Sequence, residues 1–253
     1  MPALIDIVAL VTGAAGGMGQ VIARRLAAEG ARVAVADRME SAELTALAEE
    51  TKGLAVAADL ADRDQVLGMV AEVEGELGAV ELVVANAAYM TMAPLTGHDE
   101  ADWWRVVDTN LTGTFHLVQA VLPGMRRLGR GRVVVIASEW GVTGWPNATA
   151  YAASKAGLIA LTKSLGRELG PERILVNAIA PGVTDTPQLA VDAADAGVDL
   201  TTMQARYAAG IPLGRIGRPE DIAAAVVLLA NPEVGAFAGQ TIQINGGSTR
   251  CRV

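Results

Sequence analysis

Tyr151 and Lys155 stand four residues apart in a stretch with helical spacing, so a helix there carries both side chains on one face. A tyrosine with its ordinary pKa of about 10 is a poor base at neutral pH. Lowering it to about 7 takes about 4 kcal/mol of preferential phenolate stabilisation. A lysine ammonium nearby, joined by a positively charged cofactor, can supply that at the effective dielectric of a protein cleft. Such a pair arises by chance in many helices, so its surroundings decide. Far upstream, Thr12-Gly13-Ala14-Ala15-Gly16-Gly17-Met18-Gly19 ends one apolar run and opens a helical pattern. Glycine lets the backbone turn tightly and approach a pyrophosphate, whose charge suits the unpaired N–H groups of a helix start. Asp37 follows the second apolar run, 18 residues after Gly19. A carboxylate there accepts hydrogen bonds from the adenosine ribose hydroxyls of a dinucleotide. The competing readings are geometric: glycines that only shape a turn, and an aspartate that only caps a helix.

These residues need a scaffold, and the rest of the chain provides its pattern. The runs at 7–11, 32–36, 54–58, 81–85, 132–137 and 174–180 are continuously apolar, as strands covered on both faces are. Helical spacing fills roughly 18–29, 41–51, 62–77, 101–128 and 149–169, and a last helix near 219–230 precedes a final strand at 240–244. This alternation predicts one α/β domain over 1–253: a Rossmann-type, doubly wound parallel sheet of about seven strands with helices on both faces. Residues 183–218 break the rhythm, with no strand pattern and a short helical piece near 199–209. Lying after a late strand, they read as a substrate-lid insertion.

Taken together, the glycine turn, Asp37, Ser138 thirteen residues before Tyr151, and Tyr151-x-x-x-Lys155 resemble the short-chain dehydrogenase/reductase family along essentially the whole chain. The resemblance implies a catalytic set of Asn110, Ser138, Tyr151 and Lys155. Ser138 would orient the substrate oxygen, Tyr151 would act as general acid or base, Lys155 would lower the tyrosine pKa and hold the nicotinamide ribose, and Asn110 would hold a relay water. It also implies a cofactor set of Gly13, Gly16, Gly17, Met18, Gly19, Asp37, Asp59, Leu60, Asn86, Tyr151, Lys155, Pro181, Gly182, Thr184 and Thr186. Asp37 favours NAD over NADP, because the 2′-phosphate of NADP would meet its carboxylate; Arg38, next in sequence, is the complication. Two departures stand out. The family's usual Asn-Asn-Ala-Gly reads Ala85-Asn86-Ala87-Ala88 here, with Tyr89 following. Glu139 directly after Ser138 reads as a surface residue, with a polar contact to substrate as the alternative.

Composition bounds the remaining questions. Of 253 residues, 51% are hydrophobic, ample for a core, yet no run of about 18 escapes charge, Gly or Pro, so no membrane span is expected. Residues 1–11 lack a basic leader and read as a first strand rather than a signal peptide. A net charge of −8 opposes nucleic acid and anionic membranes as partners. One cysteine, Cys251, with His98 and His116, points to a reducing, cytoplasmic setting and no metal site.

Tyr89, Met90, Trp140 and Trp145 are expected at the substrate mouth, which suggests a small-molecule ketone or alcohol that is bulky or aromatic. Each tryptophan has core packing as its alternative role. The rival enzyme reading is a 3-oxoacyl reductase acting on a carrier- or CoA-bound chain, with Arg126, Arg127, Arg130 and Arg173 as a basic docking patch. The rival from another class is a cofactor-sensing or scaffold protein without turnover. Apolar and small residues on several faces of 101–128 and 149–169, among them Leu111, Phe115, Val118, Ala152, Ala156 and Ala160, point to a homo-oligomer. Related enzymes imply a tetramer.

Overall fold

A computed structural model describes residues 3–249; Cys251 lies outside the described residues. The chain runs β1 (Val8–Thr12), α1 (Gly17–Ala28), β2 (Arg32–Asp37), α2 (Ala42–Thr51), β3 (Leu54–Ala57), α3 (Arg63–Leu77) and β4 (Leu82–Ala85). It continues through α4 (Glu100–Val107), α5 (Gly113–Leu128), β5 (Gly131–Ile136), the four-residue α6 (Trp140–Thr143), α7 (Thr149–Leu169) and β6 (Ile174–Pro181). Helices α8 (Gln188–Asp195), α9 (Leu200–Ala208) and α10 (Pro219–Ala230) precede the last strand, β7 (Thr241–Ile244).

All seven strands pair in parallel in the order β3-β2-β1-β4-β5-β6-β7. The continuously apolar strands are buried on both faces because a helical layer covers each. On one side Val70, Leu117 and Leu158 of α3, α5 and α7 pack on alternate strand residues such as Leu10 and Val133. On the other, Ile22, Leu47 and Val226 of α1, α2 and α10 pack on Val11 and Val134. Fully burying one such side chain contributes about 1.5–3 kcal/mol, so the alternation that sets the fold also supplies most of its cohesion. The order reverses between β2-β1 and β4-β5, and the carboxyl ends of strands at that switch point are where an open α/β sheet leaves a crevice.

Local chemistry sets the helix ends. The Ser41 hydroxyl accepts from Leu44 N–H to start α2, and the Asp62 carboxylate accepts from Asp64 and Gln65 N–H to start α3. Helix α1 differs. Its cap is Gly16, with no side-chain cap, which leaves the first N–H groups facing the crevice.

Two parts of the lengthwise pattern come out differently. The stretch 101–128 is two helices, joined by a π-helical turn at Asp108–Thr112 that holds Asn110. The 183–218 region contains α8 as well as the expected α9, and a small separate core of Leu189, Ala193, Met203, Ile211 and Ile216 ties the two together. No helix among the described residues is long and apolar enough to cross a membrane.

Candidate active site

The glycine turn is built around close approaches. A Cβ on Gly19 would run into the carbonyl oxygen of Gly13, so α1 can start this near β1 only with glycine there. Gly13 and Gly17 adopt φ of 64° and 51°, the left-handed region. A Cβ on Gly16 would meet nothing within 4 Å and would project into open space. That space is a cavity of about 530 Å³ lined by Gly13, Gly16, Gly17 and Met18 at one end and by Asp37, Asp59 and Leu60 at the other. Gly19 lies buried beneath the turn, so its contribution is to packing, not to the lining.

Asp37 is held in place by backbone donors: its carboxylate accepts from Ala15 N–H at 2.9 Å and from Arg38 N–H at 2.7 Å. Arg38 is exposed and lines the same cavity. The Asn86 amide donates to the carbonyls of Thr12 and Gly13, both at 3.0 Å, and so ties the end of β4 to the glycine turn. Thr12 supports the same junction, its hydroxyl accepting from Asn86 and Ala87 N–H.

A second cleft, of about 260 Å³, adjoins the first through shared walls at Met18, Asn86, Ala88, Thr186 and Gln188. Ser138, Tyr151 and Lys155 line it together, as do Pro181, Gly182 and Thr184. Ser138 follows β5 by two residues, while Tyr151 and Lys155 sit on the first turns of α7, which puts three distant sequence positions in one place. The Tyr151 phenol faces the Ser138 hydroxyl, which acts to lower its pKa, and the Ser138 hydroxyl accepts from Trp140 N–H at 3.1 Å. The Lys155 ammonium donates to the Ile136 carbonyl at 2.7 Å and lies 5.4 Å from the centre of the Tyr151 ring.

The electrostatics of the protein alone run opposite to the sequence expectation. Burial pushes the Tyr151 phenol up to about 12, against a smaller lowering by the Ser138 hydrogen bond. Burial also pushes Lys155 down to about 7. Both groups are driven towards their neutral forms, because desolvation penalises each charge more than one neighbour compensates.

Asn110 is also placed differently from the relay-water role. It is fully buried, and its side chain clamps the loop after β4, accepting from Tyr89 N–H at 2.7 Å and donating to Tyr89 C=O at 3.0 Å and Ser154 Oγ at 3.1 Å. The Ser154 hydroxyl in turn donates to the Tyr151 carbonyl. Ser154, which nothing in the sequence singled out, thus connects Asn110 to the α7 turn that carries Tyr151.

The four expected substrate residues divide. Trp140 and Met90 line the smaller cleft, and the Trp140 ring meets Tyr151 edge-on at 5.9 Å. Trp145 does not line it; exposed, it stacks on Trp140 at 5.0 Å. Tyr89 lines the larger cavity instead, beneath the Arg105 guanidinium at 4.1 Å. Glu139 is a correction. It is buried rather than at the surface, lines the smaller cleft, and accepts a hydrogen bond from Ser248 Oγ. Asp192 and Tyr207, from α8 and α9, also line this cleft and were not anticipated.

The proposed basic patch is corrected as well. Arg126 pairs with Glu172, Arg127 with Glu74 and Arg130 with Glu81. These arginines and Arg173 flank the amino ends of β5 and β6, the opposite edge of the sheet from Ser138.

The residues present fit a dinucleotide: uncapped N–H groups at the start of α1, open space over Gly16, and a fixed carboxylate at the far end. Comparison with known proteins agrees. A family model described as enoyl-(acyl carrier protein) reductase matches residues 13–249. The chain is 38% identical to the 3-oxoacyl-(acyl-carrier-protein) reductase of Thermotoga maritima, covering 95% of this chain and 96% of that protein. It is 37% identical to the cis-4-hydroxycyclohexanecarboxylate dehydrogenase of Sinomonas cyclohexanicum, over 98% of each. Among solved structures, levodione reductase superposes with a TM-score of 0.90 at 31% identity, over 96% of this chain and 98% of that one.

Proposed function

The chain is an oxidoreductase of the short-chain dehydrogenase/reductase family, and within it we propose an NAD-preferring enzyme that interconverts a bulky or aromatic secondary alcohol and its ketone. Asp37 carries the cofactor choice. Its carboxylate, held by two backbone N–H groups at the adenosine end of the cavity, suits two ribose hydroxyls and repels a 2′-phosphate. Two like unit charges about 4 Å apart repel by about 4 kcal/mol at an effective dielectric of about 20. After screening and side-chain movement, about 1.4–3 kcal/mol remains, which is tenfold or more against NADP.

A nicotinamide cofactor held across the two adjoining cavities would supply the hydride acceptor or donor and, oxidised, a positive charge. The protein's own residues handle the oxygen and its proton. Ser138 holds the substrate oxygen through its hydroxyl. In reduction the neutral Tyr151 phenol gives its proton to that oxygen and is left as phenolate; in oxidation the alcohol proton passes to a Tyr151 phenolate, the form that Lys155 and the charge of the oxidised cofactor would favour. Lys155 spends one donor on the Ile136 carbonyl, which keeps two for the ribose and the tyrosine side. Asn110 acts as a positioning residue through Tyr89 and Ser154. The protein works on a small molecule as a cytoplasmic homotetramer, with no nucleic-acid or membrane partner.

The names of several relatives favour a second reading, reduction of a 3-oxoacyl thioester. The ion pairs that neutralise Arg126, Arg127 and Arg130 count against a carrier docking there.

The test is the kcat/KM ratio for NADH and NADPH with one ketone. At least a tenfold preference for NADH is expected, shrinking to about threefold or less in Asp37→Ser with Arg38 retained. Equal or better efficiency with NADPH in the unmodified protein would overturn the assignment and make Arg38 the determinant.

A further inference from the structure

The smaller cleft carries a charge that the proton-transfer chemistry does not use. Glu139 follows Ser138 directly, is only 8% exposed, and lines the same cleft as Ser138 and Tyr151. Its side chain turns towards the carboxyl ends of β6 and β7, where a Cβ on Gly182 would lie 3.3 Å from Oε2, and where Ser248 donates to that oxygen. The carboxylate therefore has a hydroxyl as partner, and no arginine or lysine is paired with it among the ion pairs of the described residues.

Around it, the described residues of the cleft offer little positive charge. Asp192 lines the α8 side, where it receives a hydrogen bond from Gln188 and stands beside Tyr207. Among the described residues, Lys155 is the one basic residue in the lining, and its ammonium is turned to the Ile136 carbonyl. A carboxylate or phosphate entering beside the reacting carbon would meet Glu139 and Asp192 in a cavity partly shielded from water, where like charges repel more than in bulk. A neutral group with an O–H or N–H donor would meet an acceptor of the kind Ser248 already uses.

We propose that Glu139 is a specificity-determining residue that restricts this enzyme to uncharged or cationic ketones and alcohols bearing a hydrogen-bond donor, and excludes substrates with an anionic group near the reacting carbon. This rests on the ketone-reductase reading above and narrows its substrate class.

The experiment uses two ketones of matched shape, 4-(hydroxymethyl)cyclohexanone and 4-oxocyclohexanecarboxylate, with NADH and the unmodified protein. The expected kcat/KM ratio favours the hydroxymethyl ketone by about thirtyfold or more. In Glu139→Gln, which keeps an acceptor for Ser248 while removing the charge, the ratio should fall below about fivefold, mainly through a lower KM for the carboxylate. Equal efficiency on the two ketones in the unmodified protein overturns the proposal. So does a ratio unchanged in a Glu139→Gln protein that melts like the parent. If neither these nor aromatic ketones turn over with NADH or NADPH, the ketone-reductase reading itself falls and the proposal with it.

Discussion

Tyr151 must hold its proton to act as an acid, and the burial that pushes its phenol up to about 12 keeps it protonated throughout the neutral range. Tyr151→Phe removes that proton and keeps the ring against Trp140. Turnover should fall by about a thousandfold or more, with NADH affinity changed less than about threefold. Retention of more than a tenth of the activity would contradict the role. Lys155 pays for its position in stability. Its folded pKa of about 7 lies below the ordinary 10.5, so the unfolded chain binds the extra proton between those values. The penalty is full below about pH 7, is relieved as pH rises, and vanishes above 10.5, on the order of 5 kcal/mol in all. Lys155→Met should therefore be inactive yet gain melting temperature relative to the parent at pH 7. That advantage should shrink steadily towards pH 10, as calorimetry at the two pH values can check; a gap independent of pH would contradict it. Loss of the donor to Ile136 offsets part of the gain at every pH.

Among the elements, the π-helical turn at Asp108–Thr112 ties the loop after β4 to α7 through Asn110. It swings Asn110 inward to bond both backbone groups of Tyr89, and the 86–89 segment lines the cofactor cavity. Asn110→Ala leaves a buried N–H and C=O without this partner, at a cost of roughly 2–4 kcal/mol. Thermal melting should show the loss, and NADH titration followed by fluorescence should show weaker binding. Unchanged values for both would contradict the positioning role. This break in the helix was not legible in the sequence, where 101–128 reads as one continuous pattern. It accompanies a tertiary contact from Asn110 to a loop 21 residues away, which local spacing does not encode. The strands were legible to within about one residue at each end, because burial on both faces leaves an uninterrupted apolar run with sharp polar borders. The glycine turn and the Tyr151 and Lys155 pair were legible for a similar reason, since the spacing of each is local to one turn or one helix, whereas Ser138 comes from the end of β5 and was placed by resemblance. Glu139 was misread because its partner Ser248 is 109 residues distant. Helix α8 was missed because eight residues carry too little periodicity to stand out.

At the scale of the whole molecule, one sheet serves two tasks at one edge, with the cofactor cavity over β1 and β2 and the reacting cleft over β5 and β6. The opposite edge is occupied by ion pairs such as Arg130–Glu81. The outer faces of α4, α5 and α7 remain exposed with Trp104, Phe115, Ala156 and Ala160 on them, whereas Val118 is taken up by the core. That surface suits pairing of copies about two-fold axes, and light scattering at micromolar concentration should give the mass of four chains. A mass near 26.1 kDa would contradict assembly. The central claim is that this sheet serves a free ketone rather than a carrier-bound acyl chain, and steady-state kinetics with NADH test it directly. For the unmodified protein, kcat/KM should be at least about tenfold higher for a cyclic or aromatic ketone than for an acetoacetyl thioester on acyl carrier protein; a higher value for the thioester would contradict the account.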